Sequence, residues 1–247
     1  MSKFVKFIIW FSAITLIFLG IIYFSYSQNR QLFKIDDESL QAQADQLLTD
    51  NQELLDAPLD QGWEPVRPIN DTDHLWGTAQ APVQLIVYVD FDCPFCAEYQ
   101  QTLKQVKEEY KDQVVIAFRI YPLASHPNAI PAALAAECAS DQGKFWEMTE
   151  KLYANQKESK NETAEFIKDA EELNLNKEDF KKCLLEERYK EEIIADKAEA
   201  EKYGVTGTPT SFLGNNILPG AYQFNDFEDQ TGRKYEGLKT LIDKALQ

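Results

Sequence analysis

The feature that most constrains the fold is a Cys-x-x-Cys motif at the junction between a predicted strand and a predicted helix. Residues 83–89 (VQLIVYV) form a short, β-branched apolar run, which is typical of a buried strand. The motif (CPFC, residues 93–96) follows, and Pro94 suits the first turn of a helix. Residues 95–110 then have helical spacing, and residues 114–120 (VVIAFRI) form a second apolar run. The pattern predicts a β-α-β unit with parallel strands and a right-handed crossover.

The position of the two cysteines gives them a chemical use. A helix N-terminus carries unpaired N–H groups and about half a positive charge, which stabilise a thiolate. We therefore expect Cys93 to have a lowered pKa and to act as a nucleophile. Cys96 lies about one helical turn further along and can resolve a mixed disulfide formed at Cys93. The motif thus predicts thiol–disulfide exchange.

Other uses of a Cys-x-x-Cys motif fit this chain less well. Zinc needs about four ligands, but the chain has no second Cys-x-x-Cys and only the histidines His74 and His126. Covalent haem attachment requires a histidine directly after the motif, where this chain has Ala97. A purely structural disulfide stays open, although so small a ring adds little loop entropy. We predict no metal and no cofactor.

The first 30 residues predict a membrane anchor with a cytosolic tip. Residues 7–24 (FIIWFSAITLIFLGIIYF) carry no charge, and as a helix they would span about 27 Å, just enough for the core of a bilayer. Lys3 and Lys6 precede the run, so the positive-inside rule leaves the N-terminus in the cytosol and the rest of the chain outside. A cleaved signal peptide is the alternative. Either interpretation sends the domain to an oxidising, extracytoplasmic compartment.

The net negative charge of the chain argues against one class of partner, nucleic acids. The chain has 25 basic and 41 acidic residues, a net charge of −16. Because nucleic-acid binding needs clustered Lys and Arg, we expect no nucleic-acid partner. Residues 31–70 are polar and acidic and end in spaced prolines, and we interpret them as a stalk that leads to a folded domain over residues 71–247.

The folded domain alternates between strand and helix patterns. Strands are predicted at 83–89 and 114–120, and the pattern is helical from 127 to 203. Predicted helices in that stretch cover 129–140, 144–154, 163–173, 177–186 and 195–203. Two short apolar runs, 210–213 and 217–221, flank Gly-Asn-Asn and predict a β-hairpin; a last helix covers about 235–246. This order predicts an α/β fold with one sheet and a helical insertion at about 124–203.

Pro209 directly precedes the third predicted strand, within the segment GTPT (207–210). It could be only a turn residue. A cis bond between Thr208 and Pro209 would instead turn the chain sharply and leave backbone groups at the strand edge free. A substrate segment could then pair with those groups as an added strand.

Several motifs, in order, resemble the DsbA-like thioredoxin-fold oxidoreductases, and most closely their membrane-anchored subgroup. They are the segment 81–96 around the cysteines, RIYPL (119–123), HPNA (126–129), AAECA (135–139), QGKFWE (142–147) and GTPT (207–210). The resemblance covers about residue 75 to the C-terminus. It implies a thioredoxin fold with a helical insertion. Cys93 would be the nucleophile, Cys96 the resolving thiol and Pro209 a cis-proline facing them. From their positions, between the cysteines and directly before Pro209, we expect Phe95 and Thr208 to contact the substrate.

The resemblance also implies a function. Cysteine pairs of exported proteins would be oxidised through the Cys93–Cys96 disulfide, and a membrane quinone-linked partner would reoxidise the protein. Exchange in the other direction, as a disulfide reductase or isomerase, stays open. A non-catalytic thioredoxin-like binding module is the alternative from another class.

One departure from the family concerns proton transfer. Thioredoxins and the best-known DsbA carry a buried acid six residues before the first cysteine, where this chain has Val87. The nearest acids are Asp90 and Asp92. Asp90 is a candidate proton relay, with a capping role in the loop as the alternative, and Asp92 is expected to be solvated.

The other two cysteines, Cys138 and Cys183, lie in the helical insertion. In an oxidising compartment we expect them to form a structural disulfide. Two separate buried thiols are the alternative.

Overall fold

A computed structural model describes residues 64–158 and 160–247 of the chain. The predicted anchor (residues 1–30) and residues 31–63 of the predicted stalk lie outside the described residues. In the part of the chain that is described, no helix combines the length and the apolar character needed to cross a bilayer. The described residues form one compact unit.

A mixed sheet forms the centre of the described domain. Its strands are β1 (His74–Trp76), β2 (Val83–Val89), β3 (Val114–Ile120), β4 (Thr210–Leu213) and β5 (Asn216–Pro219). They lie in the order β1-β3-β2-β4-β5. Strands β2 and β3 are parallel, with Val83 opposite Val114, whereas β1, β4 and β5 run antiparallel to their neighbours. The predicted β-α-β unit is therefore present with the predicted strand bounds.

Strand β2 is apolar along most of its length because both of its faces are covered. Leu85, Val87 and Val89 belong to the larger hydrophobic core cluster. Ile86 and Tyr88 belong to a second cluster on the opposite side. Successive side chains of a strand point to opposite faces, so burial on both faces requires a continuous apolar run.

Seven helices are described in this part of the chain. They are α1 (Pro94–Tyr110), α2 (Ala129–Ser140), α3 (Phe145–Lys157), α4 (Thr163–Glu172), α5 (Lys177–Leu185), α6 (Lys190–Lys202) and α7 (Leu238–Ala245). Helix α1 connects β2 to β3 and buries Tyr99, Leu103 and Val106 at helical spacing. Helices α2 to α6 form the insertion between β3 and β4.

A disulfide joins Cys138 of α2 to Cys183 of α5. Both residues are buried in the core of the insertion. The bridge closes a loop with a sequence separation of 45 residues, so it links the start of the insertion to its later helices.

Three features differ from the sequence-based expectations. Helix α6 begins at Lys190, earlier than the predicted residue 195, and its first turn holds Glu191 and Glu192, which suit the positive end of a helix. Strand β1 was not predicted, because its three half-buried residues give too short a pattern. Tyr235, the first residue assigned to the last helix, instead belongs to β7 (Lys234–Tyr235), which pairs with β6 (Phe227–Glu228).

The last residues of the predicted stalk are part of the folded domain. Val66 and Ile69 pack against the second core cluster. The buried guanidinium of Arg119 donates to the carbonyls of Arg67 and Pro68 at 3.0 and 3.1 Å, and it pairs with Asp73 at 2.7 Å. A buried charge needs such partners, so the segment 64–70 is held against β3. The domain boundary predicted at residue 71 is therefore too late.

Candidate active site

The site lies where β2 ends and α1 begins. Cys93 is the N-cap residue of α1, with extended backbone (φ −87°, ψ 120°), and Pro94 opens the first turn. The Cys93 carbonyl accepts the Ala97 N–H at 3.2 Å. Both cysteines of the motif are free thiols and are buried. Between them Phe95 is 62% exposed, so the motif presents an apolar ring beside two shielded sulfurs.

The loop before β4 lies directly opposite Cys93. The Thr208–Pro209 peptide bond is cis, and the Cys93 thiol donates to the Thr208 carbonyl at 3.4 Å. The Pro209 carbonyl accepts the Gly220 N–H at 2.8 Å, so this strand-edge group is already paired. The structure thus brings Cys93, Thr208 and Pro209 together across a sequence separation of more than a hundred residues.

The two thiols have opposite electrostatic environments. The pKa of Cys93 is lowered to about 6, above all because the Cys96 thiol donates a hydrogen bond to the thiolate. Burial opposes this shift, while Thr208 and the first N–H groups of α1 add to it. Burial raises the pKa of Cys96 well above its usual range. Near neutral pH the site therefore holds a Cys93 thiolate beside a neutral Cys96 thiol.

Asp90 lies under the motif and is almost completely buried. Its backbone N–H donates to the Cys96 sulfur at 3.5 Å. Its carboxylate accepts the Asp92 and Leu123 N–H groups at 2.7 and 2.9 Å and pairs with Nδ1 of His126 at 2.8 Å. Burial raises the pKa of this carboxyl. Asp90 thus organises the loop and also contacts the buried sulfur through its own backbone.

The sequence analysis predicts a solvated Asp92, but in the structure this residue is half-buried. Its side chain accepts the Asn128 N–H at 3.0 Å and the Asn161 amide at 3.3 Å. Asn161 also donates to the Phe91 carbonyl at 3.1 Å. The expectation was wrong because the helical insertion folds back over the motif and supplies these donors, which are distant in sequence.

Three residues near the sulfurs were not identified as site residues from the sequence. The Tyr153 ring of α3 packs on Phe91, and its hydroxyl is buried. Among the described residues, neither this hydroxyl nor the Gln100 amide nitrogen has a hydrogen bond of normal geometry. Burial raises the pKa of Tyr153 well above its usual range, and the charges of Cys96, Asp90 and Cys93 act in the same direction. Asn161 is the third residue; nothing in its local sequence distinguishes it from a loop asparagine.

Metal-ligating groups do not cluster in the described part of the chain. Within residues 64–158 and 160–247, no three His, Cys, Asp or Glu side chains come together in a way that could hold an ion. His74 pairs with Glu137 at 2.9 Å, separately from the His126 pair.

Comparisons with known proteins agree with this fold. The model of a family described as thioredoxin matches residues 69–244. The structure is similar to oxidised BdbD from Bacillus subtilis, with a TM-score of 0.61 and 21% identity, over 74% of this chain and 98% of that one. It is also similar to the thiol-disulfide exchange protein alpha-DsbA2 from Wolbachia pipientis, with a TM-score of 0.57 and 18% identity, over 71% and 88% of the two chains. These likenesses confirm the predicted fold with its helical insertion.

Curated relatives match only in part. The chain is 37% identical over 159 residues to the Na+/H+ antiporter NhaA 3 of Salinispora tropica, which is 64% of this chain and 24% of that protein. The chain thus spans about a quarter of the length of the curated relatives it matches. The transport activity in that name belongs to the antiporter and is not carried over to this chain.

Proposed function

The chain belongs to the thioredoxin family and has a DsbA-like fold, and we propose that it is an extracytoplasmic thiol:disulfide oxidoreductase. It would oxidise cysteine pairs in exported proteins through a Cys93–Cys96 disulfide. The observation that carries the proposal is the contrast between the two thiols: Cys93, with a pKa of about 6, and the buried, neutral Cys96.

This contrast favours the oxidising direction. A stabilised thiolate makes the reduced form more stable, and the disulfide is then a stronger oxidant. Thiol–disulfide exchange also needs a good leaving group, and a thiol of low pKa leaves faster. Cys93 meets both requirements because its sulfur accepts hydrogen bonds at the N-terminus of α1.

The reaction would proceed in two exchanges. A substrate thiolate attacks the Cys93 sulfur, the bond to Cys96 breaks, and Cys96 leaves with the electron pair. The second substrate thiolate then attacks the substrate sulfur of this mixed disulfide and releases Cys93 as a thiolate. Phe95, 62% exposed, and the Thr208–Pro209 segment opposite Cys93 are the surfaces that a substrate would contact.

The proposed compartment is supported by the second cysteine pair. The Cys138–Cys183 disulfide is of the kind that persists in oxidising compartments. An anchor at residues 7–24 would hold the domain at the outer face of the cell membrane, as the apolar run and its flanking lysines suggest. Reoxidation by a membrane quinone-linked partner rests on the family resemblance alone.

Oxidation of a reduced, unfolded test protein tests the proposal. We expect the disulfide form to introduce disulfides, Cys93→Ala to abolish the activity, and the double variant Cys138→Ala with Cys183→Ala to retain it. A reduction potential of about −120 mV indicates an oxidant, and one of about −270 mV a reductant. Full activity of Cys93→Ala rejects the mechanism. An inert dithiol with an ordinary Cys93 pKa would instead favour a binding module.

A further inference from the structure

The exchange proposed above creates a difficulty at Cys96. When the Cys93–Cys96 bond breaks, Cys96 leaves as a thiolate, yet this residue is only 1% exposed. Burying an unpaired charge is costly, so the leaving sulfur needs a proton at or near the moment of bond breaking. The position where the family's buried acid would stand holds Val87, which has no proton to give.

Asp90 and His126 lie where such a proton could be held. Asp90 follows β2, and its backbone N–H contacts the Cys96 sulfur at 3.5 Å. Its carboxylate, with a side-chain exposure of 0%, pairs with Nδ1 of His126 at 2.8 Å. The His126 side chain is 23% exposed. The Asp90 backbone thus touches the buried sulfur, and the Asp90 carboxylate, which can carry a proton, leads through His126 towards the solvent.

We propose that Asp90 and His126 share one proton and deliver it to the Cys96 sulfur as that sulfur leaves, with His126 as the residue that positions and reloads Asp90. The proposal rests on the exchange reaction proposed above. In the first step the bond between the substrate sulfur and Cys93 forms and the Cys93–Cys96 bond breaks. The electron pair passes to Cys96, which takes the proton from the Asp90 carboxyl. His126 then takes up a proton from water and restores the pair.

Other charged or titratable groups face this pair. Cys93 and Cys96 face it from α1, and Tyr153 from α3, where its hydroxyl interacts with the charges of Asp90 and both sulfurs. Asp92 donates its backbone N–H to Asp90. Lys197 of α6 donates to the Pro122 carbonyl, next to the loop that binds Asp90. Of these groups, only His126 bonds to the Asp90 carboxylate through its side chain, which makes it the residue to change.

The test measures how fast a reduced dithiol peptide opens the Cys93–Cys96 disulfide in a single turnover between pH 5 and pH 8. Each rate is divided by the concentration of peptide thiolate, so that the remaining pH dependence belongs to the protein. The variant is His126→Asn, whose amide can donate from the position of Nδ1 but cannot hold the proton. The matched control is His74→Gln, which replaces the histidine of the His74–Glu137 pair at its bonding atom Nε2.

In the wild type we expect the normalised rate to fall with rising pH as the pair loses its proton. The normalised rate of His126→Asn should be about tenfold lower than that of the wild type at low pH and nearly independent of pH. This loss is smaller than the roughly 10²- to 10⁴-fold effect of a direct general acid, because His126 acts through Asp90. His74→Gln should behave as the wild type. A purely structural role for His126 predicts a lower melting temperature with an unchanged pH profile, and that result overturns the proposal.

The wild-type measurement is independent of whether the variant folds. A flat normalised profile of the wild type overturns the proton role while leaving the exchange reaction intact. A wild type that forms no mixed disulfide with the peptide at any pH overturns both the exchange reaction and the proton role.

Discussion

The lowered pKa of Cys93 predicts a reactivity that grows, relative to an ordinary cysteine, as the pH falls. With a pKa of about 6 rather than 9.0, Cys93 is about 90% thiolate at pH 7, against about 1% for an ordinary thiol. At pH 5 the fractions are about 9% and about 0.01%. The thiolate advantage is therefore about 90-fold at pH 7 and about 900-fold at pH 5.

Each Cys93 thiolate is less nucleophilic than an ordinary one. With a Brønsted coefficient of about 0.4–0.5, a pKa lower by about three units reduces the rate per thiolate about 16- to 32-fold. The net advantage over an unfolded cysteine peptide is then about 3- to 6-fold at pH 7 and about 30- to 60-fold at pH 5. Burial of the Cys93 sulfur slows its reaction by the same factor at pH 7 and at pH 5. The roughly tenfold increase in the ratio of protein to peptide rates between these pH values is therefore the quantity to test.

The assay follows the reaction of the fully reduced protein with dipyridyl disulfide, read as released thiopyridone. Cys96 contributes little because burial raises the pKa of its thiol, and Cys93→Ser should remove the fast reaction. If the ratio of protein to peptide rates is the same at pH 7 and pH 5, the lowered pKa of Cys93 is wrong, and so is the hydrogen bond from the Cys96 thiol that chiefly causes it.

The lowered Cys93 pKa stabilises the reduced form only above about pH 6. The reduction potential should therefore exceed that of a dithiol whose first thiol has a pKa of 9.0 by about 30 mV at pH 7 and by almost nothing at pH 5. Redox equilibration with glutathione at the two pH values measures this difference. Replacing Cys138 and Cys183 by Ala should lower the free energy of unfolding by about 4 kcal/mol on the chain-entropy model, measured in urea; a loss below about 1 kcal/mol contradicts it. Gly237→Ala should lower the free energy of unfolding in urea by more than about 2 kcal/mol, because the added Cβ would overlap the backbone of the preceding loop. Gly207 has open space around it, so Gly207→Ala should change that free energy by less than about 0.5 kcal/mol.

Strong local patterns identified the main elements of the fold. Strands β2, β3 and β4 have the predicted bounds, and α2 covers exactly the predicted residues 129–140. Strands β2 and β3 are apolar runs of seven residues and α2 is a strongly helical stretch, so their burial leaves few alternatives. The junction of strand and helix at Cys93 was predictable for the same reason, because Pro94 marks the first turn of α1.

Short elements depended on partners that lie far along the chain. Strand β1 has three residues and exists only through its pairing with β3, and the two-residue strands β6 and β7 stabilise each other. The helix predicted from residue 235 begins instead at Leu238, where Gly237 lets the backbone approach the preceding loop. Segments this short bury too little surface to be specified by their own residues.

The amino-acid sequence by itself determined which residues could do the chemistry: two cysteines one turn apart at the start of a helix, a Thr-Pro segment before a strand, and acids nearby. Only the tertiary structure decided which of those residues meet. It placed Asp90 under Cys96 and against His126, and it tied Asp92 to the insertion. The periodicity of apolar residues indicates which face of each segment is buried. A hydrogen-bonded charged pair or a shifted pKa depends instead on distances of a few ångströms between atoms of segments that are far apart in the sequence. No local pattern of residues determines those distances.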